Sequence, residues 1–501
     1  MLDRGAQGAE PRASPLELWV SVLFCFASLV VVILCLSDYG INWMHPEVLL
    51  AERKHLVGLT ALHWRDAARF FDCQILSDAC TRARFLSFLT GYVDSFFRLW
   101  LVQYIPPHPS ITITWLLSLA SLYFFHRTIV LLTGDRPAAF LGVGLYALSA
   151  GFLSSLLMLF NPAKALAGFF VNFCLFLATR IWRSPDKRAC SPAAIILYLS
   201  LFLAYCSDET CWFLSGAVPI LLMDSPRRRD WPFLACIAAS FPLFLAFVTW
   251  VAPAIINLFW GHQHFDFWSW AFNAGRAADP SEPPLLARLN VQTLAAIVYN
   301  MLQSEYAWSH SGPTVAVLSL VALAGAIVAA AGLAGREMRW LLARTVITLA
   351  LFGVFQSLLL LRHYVAAGTY YYGALFANFS LLVVAVAISC VRSAHPAHGA
   401  RAARAVACLA AIYLGYVSFS WCMTFNRYWI GVHDKLYAEM FPNLYGPLTP
   451  GAPLSEAKVA AYWRAARTGE DFRRLRVAFA PKDIWLFMEL DAWRRRQGLD
   501  R

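Results

Sequence analysis

The feature that most constrains this chain is a series of long apolar segments separated by shorter polar ones. An α-helix rises about 1.5 Å per residue, so about 20 apolar residues cross the roughly 30 Å hydrocarbon core of a bilayer. On that length, the sequence predicts eleven membrane-spanning helices, near 17–37, 111–132, 137–159, 163–182, 190–206, 211–223, 233–253, 313–334, 340–361, 370–391 and 405–425. The predicted fold class is an all-α polytopic membrane protein.

The composition agrees with that class and excludes others. Hydrophobic residues make up 59% of the 501 residues and charged residues only 14%, whereas soluble chains carry about 25% charged residues. The sequence has no nucleic-acid-binding motif, no phosphate-binding Gly loop and no zinc or haem cysteine spacing. We therefore expect a lipid bilayer and no nucleic acid as partner, and no ATP-driven pump. No cofactor is indicated, although a divalent cation is left open.

Basic residues predict which side of the membrane each loop faces, because Lys and Arg concentrate in short cytoplasmic loops. The short loops between the predicted spans alternate between a basic set and a set that holds only Lys164 and Arg362. The basic set contains Arg127, Arg136, Arg180, Arg183, Lys187, Arg188, Arg227, Arg228, Arg229, Arg336, Arg339, Arg344, Arg392, Arg401 and Arg404. We therefore expect the N-terminus in the cytoplasm and, after eleven spans, the C-terminus on the outer side.

This orientation divides the chain into a cytoplasmic tail, a transmembrane domain and an outer C-terminal domain, at 1–16, 17–425 and 426–501. Two long outer loops, 38–110 and 254–312, belong to the transmembrane domain. The first loop contains two segments, 62–71 and 85–101, that we expect to be amphipathic helices lying in the membrane interface.

Acidic residues at the outer ends of spans are the first candidates for function, because charges near a membrane are costly. Asp38 follows the first span, and Asp208 with Glu209 lies in the short turn between the fifth and sixth. A polar helix end or a solvated turn would explain the same residues without function. If the outer side is oxidising, the flanking Cys206 and Cys211, or Cys73 and Cys80, could form disulfides.

Cations and aromatic residues on the same side are the second group of candidates. Arg362 and Lys164 could bind a phosphate, as could His363 beside Arg362. Tyr370 and Tyr371 are candidates for substrate contact, although interfacial tyrosines also form a belt that only anchors a protein in its bilayer.

The overall pattern resembles the GT-C superfamily of membrane glycosyltransferases. A first span that ends in an acid, a long outer loop, about a dozen spans and an outer C-terminal domain are shared, over most of residues 15–425. The segment 81–88 is similar to an Arg-Pro-Leu-Ser segment of the family, and 108–164 is similar to spans two to four of bacterial members. Ser207-Asp208-Glu209-Thr210 lies where many members have Ser-Lys-Glu, with Asp in place of Lys.

The resemblance implies a periplasmic enzyme of a bacterial inner membrane that transfers a sugar from a polyprenyl-phosphate donor to a glycan, lipid or protein acceptor. It implies Asp38 as general base, with Asp208 and Glu209 as further catalytic acids. Family members often have an acidic pair in the first loop, but Tyr39 follows Asp38. Glu47, otherwise expected to contact substrate, could take the base role instead, as could Asp66, Asp72 or Asp78.

Two other functions remain open at the level of sequence. A transporter or lipid flippase would place charges, or helices broken by Gly or Pro, in the middle of the membrane. Such features are sparse, with Gln356 one polar residue within a span. A non-catalytic membrane scaffold predicts that Asp38→Asn has no effect on any transfer activity.

Overall fold

The computed structural model describes about half of the chain, and its secondary structure there is helical. The described residues are 15–37, 86, 87, 90, 113–157, 163–184, 190–223, 231–254, 290–293, 296, 297, 313–363, 369–394 and 416. The predicted eleventh span, the tails 1–14 and 426–501, and nearly all of both long loops lie outside these residues. Asp38, Glu47, Asp66, Asp72 and Asp78 lie outside them as well.

Apolar helices occupy ten of the eleven predicted spans. They are α1 (Pro15–Ser37), α2 (Ile113–Thr133), α3 (Arg136–Leu148), α4 (Ala150–Leu157), α5 (Ala163–Arg183), α6 (Pro192–Tyr205), α7 (Leu214–Leu222), α8 (Trp231–Ala246), α9 (Pro313–Leu333), α10 (Arg336–His363) and α11 (Thr369–Ser393). Among the described residues, six helical segments have the length and hydropathy needed to cross a membrane. The protein is therefore a multi-pass α-helical membrane protein.

Three predicted spans differ from the expected continuous helices. The third, predicted as one helix over 137–159, is broken at Ser149, whose backbone is extended with φ −67° and ψ 146°. The sixth, predicted over 211–223, is helical from Leu214, and a short 3-10 turn, Glu209–Cys211, precedes it. In the seventh, α8 continues as a π-helical segment, Phe247–Val251.

A tight turn joins α2 to α3 and sets the two helices side by side. Gly134 adopts φ 73°, a left-handed conformation that glycine tolerates at the end of a helix. Asp135 then caps α3, accepting a hydrogen bond from the Ala138 amide at 3.1 Å. A residue with a Cβ atom at Gly134 would strain this turn.

The helices differ in how deeply they lie in the bundle. In the membrane-length windows of α5 and α11, 83% and 94% of residues are buried, against 22% in α1. Helix α1 exposes Leu16, Trp19, Leu23 and Phe26, as expected of a helix whose outer face contacts lipid. Helices α5 and α11 therefore form the centre of the bundle.

Close packing at two glycines joins α3 to its neighbours. A Cβ atom at Gly142 would lie 3.0 Å from Ile129 of α2 and 3.1 Å from the Cβ of Ala385 on α11, and one at Gly144 would lie 2.7 Å from the ring of Phe24. Small residues of this kind let membrane helices approach closely.

Contacts between helix ends define two opposite ends of the bundle. At one end, which we call the Arg392 end, Arg392 of α11 bonds Asp135 before α3 and Glu17 of α1, with N–O distances of 2.8 and 2.9 Å. Arg183 of α5 bonds the Leu132 carbonyl at 3.0 Å at the same end. The opposite end, which we call the Asp208 end, contains the turn after α6. Which end is cytoplasmic remains a prediction, based on the basic loops.

Candidate functional site

The turn after α6 folds back on its own helix and places acidic side chains inside the protein. The amides of Ser207 and Asp208 both bond the carbonyl of Ala204, at 3.0 and 3.3 Å. Asp208 then caps the 3-10 turn, its Oδ1 accepting from the Thr210 amide at 2.9 Å and from the Thr210 hydroxyl. A short polar side chain at the start of a helical turn commonly plays this role.

The main interaction of this turn is a buried ion pair with the first turn of α5. Lys164 Nζ lies 3.1 Å from Oδ1 and 3.0 Å from Oδ2 of Asp208. The side chains are 7% and 0% exposed. Two charges withdrawn from water in this way are tolerated only when they neutralise each other and are well hydrogen-bonded, and both conditions are met here.

The ion pair belongs to a larger buried polar group. Ser207, Glu209 and Thr210 are all less than 8% exposed. With both carboxylates ionised, the two acids and the single lysine carry one net negative charge. The rest of the core is mainly apolar. Among the described residues, this turn with Lys164 therefore forms a concentrated buried polar cluster at the Asp208 end.

Aromatic side chains surround the turn on the side of α8. Trp212 donates from Nε1 to the carbonyl of Tyr205 at 3.3 Å, and the Tyr205 hydroxyl lies 2.8 Å from Ser240 Oγ. The Trp212 ring packs against Phe241 and Phe244, with centroids 5.7 and 5.9 Å apart. These contacts hold Tyr205, before the turn, and Trp212, after it, against α8, and so fix the position of the turn that carries the acidic residues.

The first loop reaches this turn through Leu86. Its amide donates to the Cys206 carbonyl at 3.0 Å, and the neighbouring Ser87 is buried. The segment 81–88, which resembles an Arg-Pro-Leu-Ser segment of the GT-C family, therefore contacts through Leu86 the turn that carries Asp208 and Glu209.

The other predicted site residues can be placed by backbone position. The carbonyl of Met338, near the start of α10, accepts from Cys390 Sγ at 3.7 Å close to Arg392. Helix α10 therefore begins at the Arg392 end. Its last residues, Arg362 and His363, and the first of α11, Tyr370 and Tyr371, consequently lie at the Asp208 end.

The structure does not contain the disulfide considered for this turn. Cys206 and Cys211 are both buried free thiols. Cys73 and Cys80 lie outside the described residues.

Sequence reasoning singled out Lys164, Asp208 and Glu209 separately, as a phosphate ligand and as acids. It did not predict that Lys164 and Asp208 bind each other. The sequence held one indication of the pairing. The short outer turn with Lys164 contains no acid, and the short outer turn with Asp208 contains no basic residue. The described residues contain no group of three His, Cys, Asp or Glu side chains suited to hold a metal ion.

Comparison with known proteins adds no relative. No family model, no curated protein and no solved structure matches this chain.

Proposed function

We propose that this protein is a membrane glycosyltransferase of the GT-C type, which transfers a sugar from a polyprenyl-phosphate donor to an acceptor on the outer face of a bacterial inner membrane. The observation that carries the proposal is the buried polar turn with Lys164, Asp208 and Glu209, which the first loop contacts through Leu86. A site at this end of the bundle would lie where a lipid-anchored donor and a polar acceptor can meet.

The geometry suggests a division of labour among the acids. Asp208 uses both carboxylate oxygens to bind Lys164, and one of them also binds Thr210. Because these interactions fix the orientation of the Asp208 carboxylate, we assign the pair to positioning the turn. Asp38 and Glu209 are then the candidates for the base that removes the proton of the acceptor hydroxyl.

The leaving group of such a reaction is a phosphate that gains negative charge as the sugar departs. A positive charge near it would stabilise the transition state. Arg362 and His363 lie at the Asp208 end by backbone position, whereas Lys164 is already matched with Asp208. We therefore favour Arg362 as the phosphate ligand, with Tyr370, Tyr371 and Glu47 as substrate contacts.

The test is a transfer assay with purified protein in lipid nanodiscs and a panel of radiolabelled polyprenyl-phosphate sugars. We expect wild-type protein to release the polyprenyl phosphate, by transfer or by slow hydrolysis. We expect Asp38→Asn or Glu209→Gln to reduce that release by at least about 100-fold, as loss of a general base does. Glu17→Gln, at the other end of the bundle, is the matched control and should retain full activity.

Three results would decide against the proposal. The first is no release and no donor binding by the wild type with any sugar in the panel. The second is equal activity of wild type, Asp38→Asn and Glu209→Gln, which would remove both candidates for the base. The third is loss of activity only in Arg392-end variants, which would place the site elsewhere.

A second candidate function is a transporter or lipid flippase, which the break at Ser149 favours. A helix interrupted in the middle of a membrane is typical of transporter substrate sites, and α3 and α4 form such an interrupted helix. This alternative predicts movement of a polyprenyl-phosphate sugar between leaflets of a proteoliposome without cleavage of the donor. Intact donor reaching the opposite leaflet would favour it.

A further inference from the structure

Asn378 of α11 is a polar residue in an apolar environment. It is 0% exposed, and neither Oδ1 nor Nδ2 has a hydrogen-bond partner among the described residues. An amide side chain can accept two hydrogen bonds and donate two. Burying one without any partner is costly, so the residue calls for an explanation.

Asn172 shows how another amide in this core is accommodated. Its Nδ2 donates to Ser121 Oγ at 2.7 Å, and Ser121 in turn donates to the carbonyl of Gly168 at 3.1 Å. This chain connects α5 to α2 and satisfies the Asn172 Nδ2, while the Asn172 Oδ1 has no partner among the described residues. Asn378 has no comparable chain among the described residues.

The antiparallel packing of α3 and α11 identifies the residue opposite Asn378. Two contacts define the register: Arg392 binds Asp135, and a Cβ at Gly142 would meet that of Ala385 at 3.1 Å. Asp135 and Gly142 are seven residues apart, and so are Ala385 and Arg392. The register is therefore the same at both contacts. Seven residues further towards the Asp208 end, the same register pairs Asn378 with Ser149.

The two residues also face each other. Seven residues correspond to about two helical turns, with a rotation of only about 20°. Ser149 therefore points in nearly the direction of Gly142, and Asn378 in nearly the direction of Ala385, whose Cβ atoms would touch across the interface. Hence the amide of Asn378 is directed at the break between α3 and α4.

The backbone of Ser149 stays bonded at the break, since its amide donates to the Tyr146 carbonyl at 3.1 Å and its carbonyl accepts from the Leu153 amide at 3.0 Å. Its hydroxyl donates to the Tyr146 carbonyl at 2.7 Å while accepting from the Phe152 amide at 3.2 Å. Broken membrane helices usually need side chains or ordered water to complete their hydrogen bonding. The hydroxyl of Ser149 completes part of this set and keeps one lone pair.

The chemistry of the amide selects the ligand. A cation would satisfy Oδ1 but leave the Nδ2 hydrogens without acceptors, and an anion would do the reverse. A neutral molecule that both donates and accepts satisfies both atoms, and water is the smallest such molecule. Buried waters typically make about three hydrogen bonds to polar groups that would otherwise be unsatisfied.

We propose that an internal water molecule binds between Asn378 and the helix break at Ser149. It bonds the side-chain amide of Asn378 and donates to the remaining lone pair of Ser149 Oγ, and so connects α11 to the junction of α3 and α4. This site does not depend on the proposed glycosyltransferase activity, because it rests on the packing of these three helices alone.

The experiment is hydroxyl-radical footprinting by X-ray radiolysis of the purified full-length protein in nanodiscs. Radiolysis in a membrane core oxidises side chains that lie next to bound water. Phe152, 2% exposed, follows Ser149 by three residues, whereas Phe244, 0% exposed, lies in the aromatic cluster of α8. We expect Phe152 to be oxidised several-fold faster than Phe244, although both are equally inaccessible from outside.

The variant Asn378→Leu removes the amide at similar side-chain volume and should lower Phe152 oxidation to the rate of Phe244. Ser380→Ala is the matched control on the same helix, because the Ser380 hydroxyl already bonds the Phe376 carbonyl at 2.7 Å. It should leave Phe152 oxidation unchanged.

Equal oxidation of Phe152 and Phe244 in the wild type would overturn the proposal. So would unchanged Phe152 oxidation in a folded Asn378→Leu protein, since the water would then be held by other groups. If Asn378→Leu does not fold, Asn378→Thr takes its place: its shorter side chain holds the water less well and should reduce Phe152 oxidation. No reduction in Asn378→Thr would also overturn the proposal.

Discussion

The two ends of the bundle solve the same electrostatic problem in different ways. Each contains a basic residue bound to acid: Arg392 binds Asp135 and Glu17, and Lys164 binds Asp208, which precedes Glu209 in the chain. At the Arg392 end, the arginine is 14% exposed and Glu17 is 41% exposed. At the Asp208 end, both charged atoms of the pair are withdrawn almost entirely from solvent.

The difference teaches what each cluster is for. The planar guanidinium of Arg392 reaches two acids at once and joins three elements, α1, the α2–α3 turn and α11, near the surface of the bundle. The ammonium of Lys164 binds one acid and holds one turn against α5. The Arg392 cluster, which we call the open clamp, fits a role in assembling the helices. The Lys164–Asp208 pair, which we call the buried pair, lies beside a second acid and fits a role in positioning a site.

The largest expected effect that would test this comparison is at Lys164. Lys164→Met removes the positive charge and leaves Asp208 buried and unpaired, which should destabilise the protein by about 3–5 kcal/mol. Unfolding by SDS titration of protein in mixed micelles measures the change.

The double variant Lys164→Met with Asp208→Asn separates charge from packing. It removes both charges, so most of the lost stability should return. If the double variant is as unstable as the single one, the cost arises from packing at Lys164 rather than from an uncompensated carboxylate.

A smaller loss is expected at the more exposed cluster. Arg392→Met deprives Asp135, itself 0% exposed, of its charged partner, but Arg392 is 14% exposed against 7% for Lys164, so water reaches the vacated position more readily. We expect a loss of about 2 kcal/mol, the scale of one hydrogen bond to a charged group, in the same SDS titration.

Glu17→Gln is the control for this end, because Glu17 is substantially exposed and water screens its interaction. We expect at most about 1 kcal/mol for it. A loss at Arg392 as large as that at Lys164 would erase the proposed distinction between the open clamp and the buried pair.

The smallest effect concerns packing rather than charge. Gly144→Ala places a methyl group 2.7 Å from the Phe24 ring, which must move, at a cost of about 1–3 kcal/mol for such overpacking. Because a side chain can yield more easily than backbone, we expect a value near the lower limit. Gly216→Ala is the matched control, since its added Cβ meets nothing within 4 Å, and it should be neutral in thermal unfolding.

Much of the fold could be predicted from hydropathy because one physical requirement dominates it. A chain in hydrocarbon must satisfy its backbone hydrogen bonds within each segment, so runs of apolar residues become helices. For that reason the predicted spans near 163–182 and 370–391 lie within one or two residues of α5 and α11. The eleventh span and both long loops lie almost entirely outside the described residues and stay predictions.

The candidate site was predictable only as an inventory. Lys164, Asp208 and Glu209 could be selected one by one, because a charge near a membrane is costly wherever it lies. Their pairing could not, since Lys164 and Asp208 are 44 residues apart and Arg392 and Asp135 are 257 residues apart. Hydropathy contains no information on which side chain meets which across a bundle.

The sequence by itself therefore determined that this protein crosses a membrane many times as helices, because apolar length and backbone hydrogen bonding act locally. Only the tertiary structure decided that the third span breaks at Ser149, and that Lys164 neutralises Asp208. Those outcomes depend on the register between helices, which close packing at residues such as Gly142 and Gly144 sets, and which no segment specifies alone.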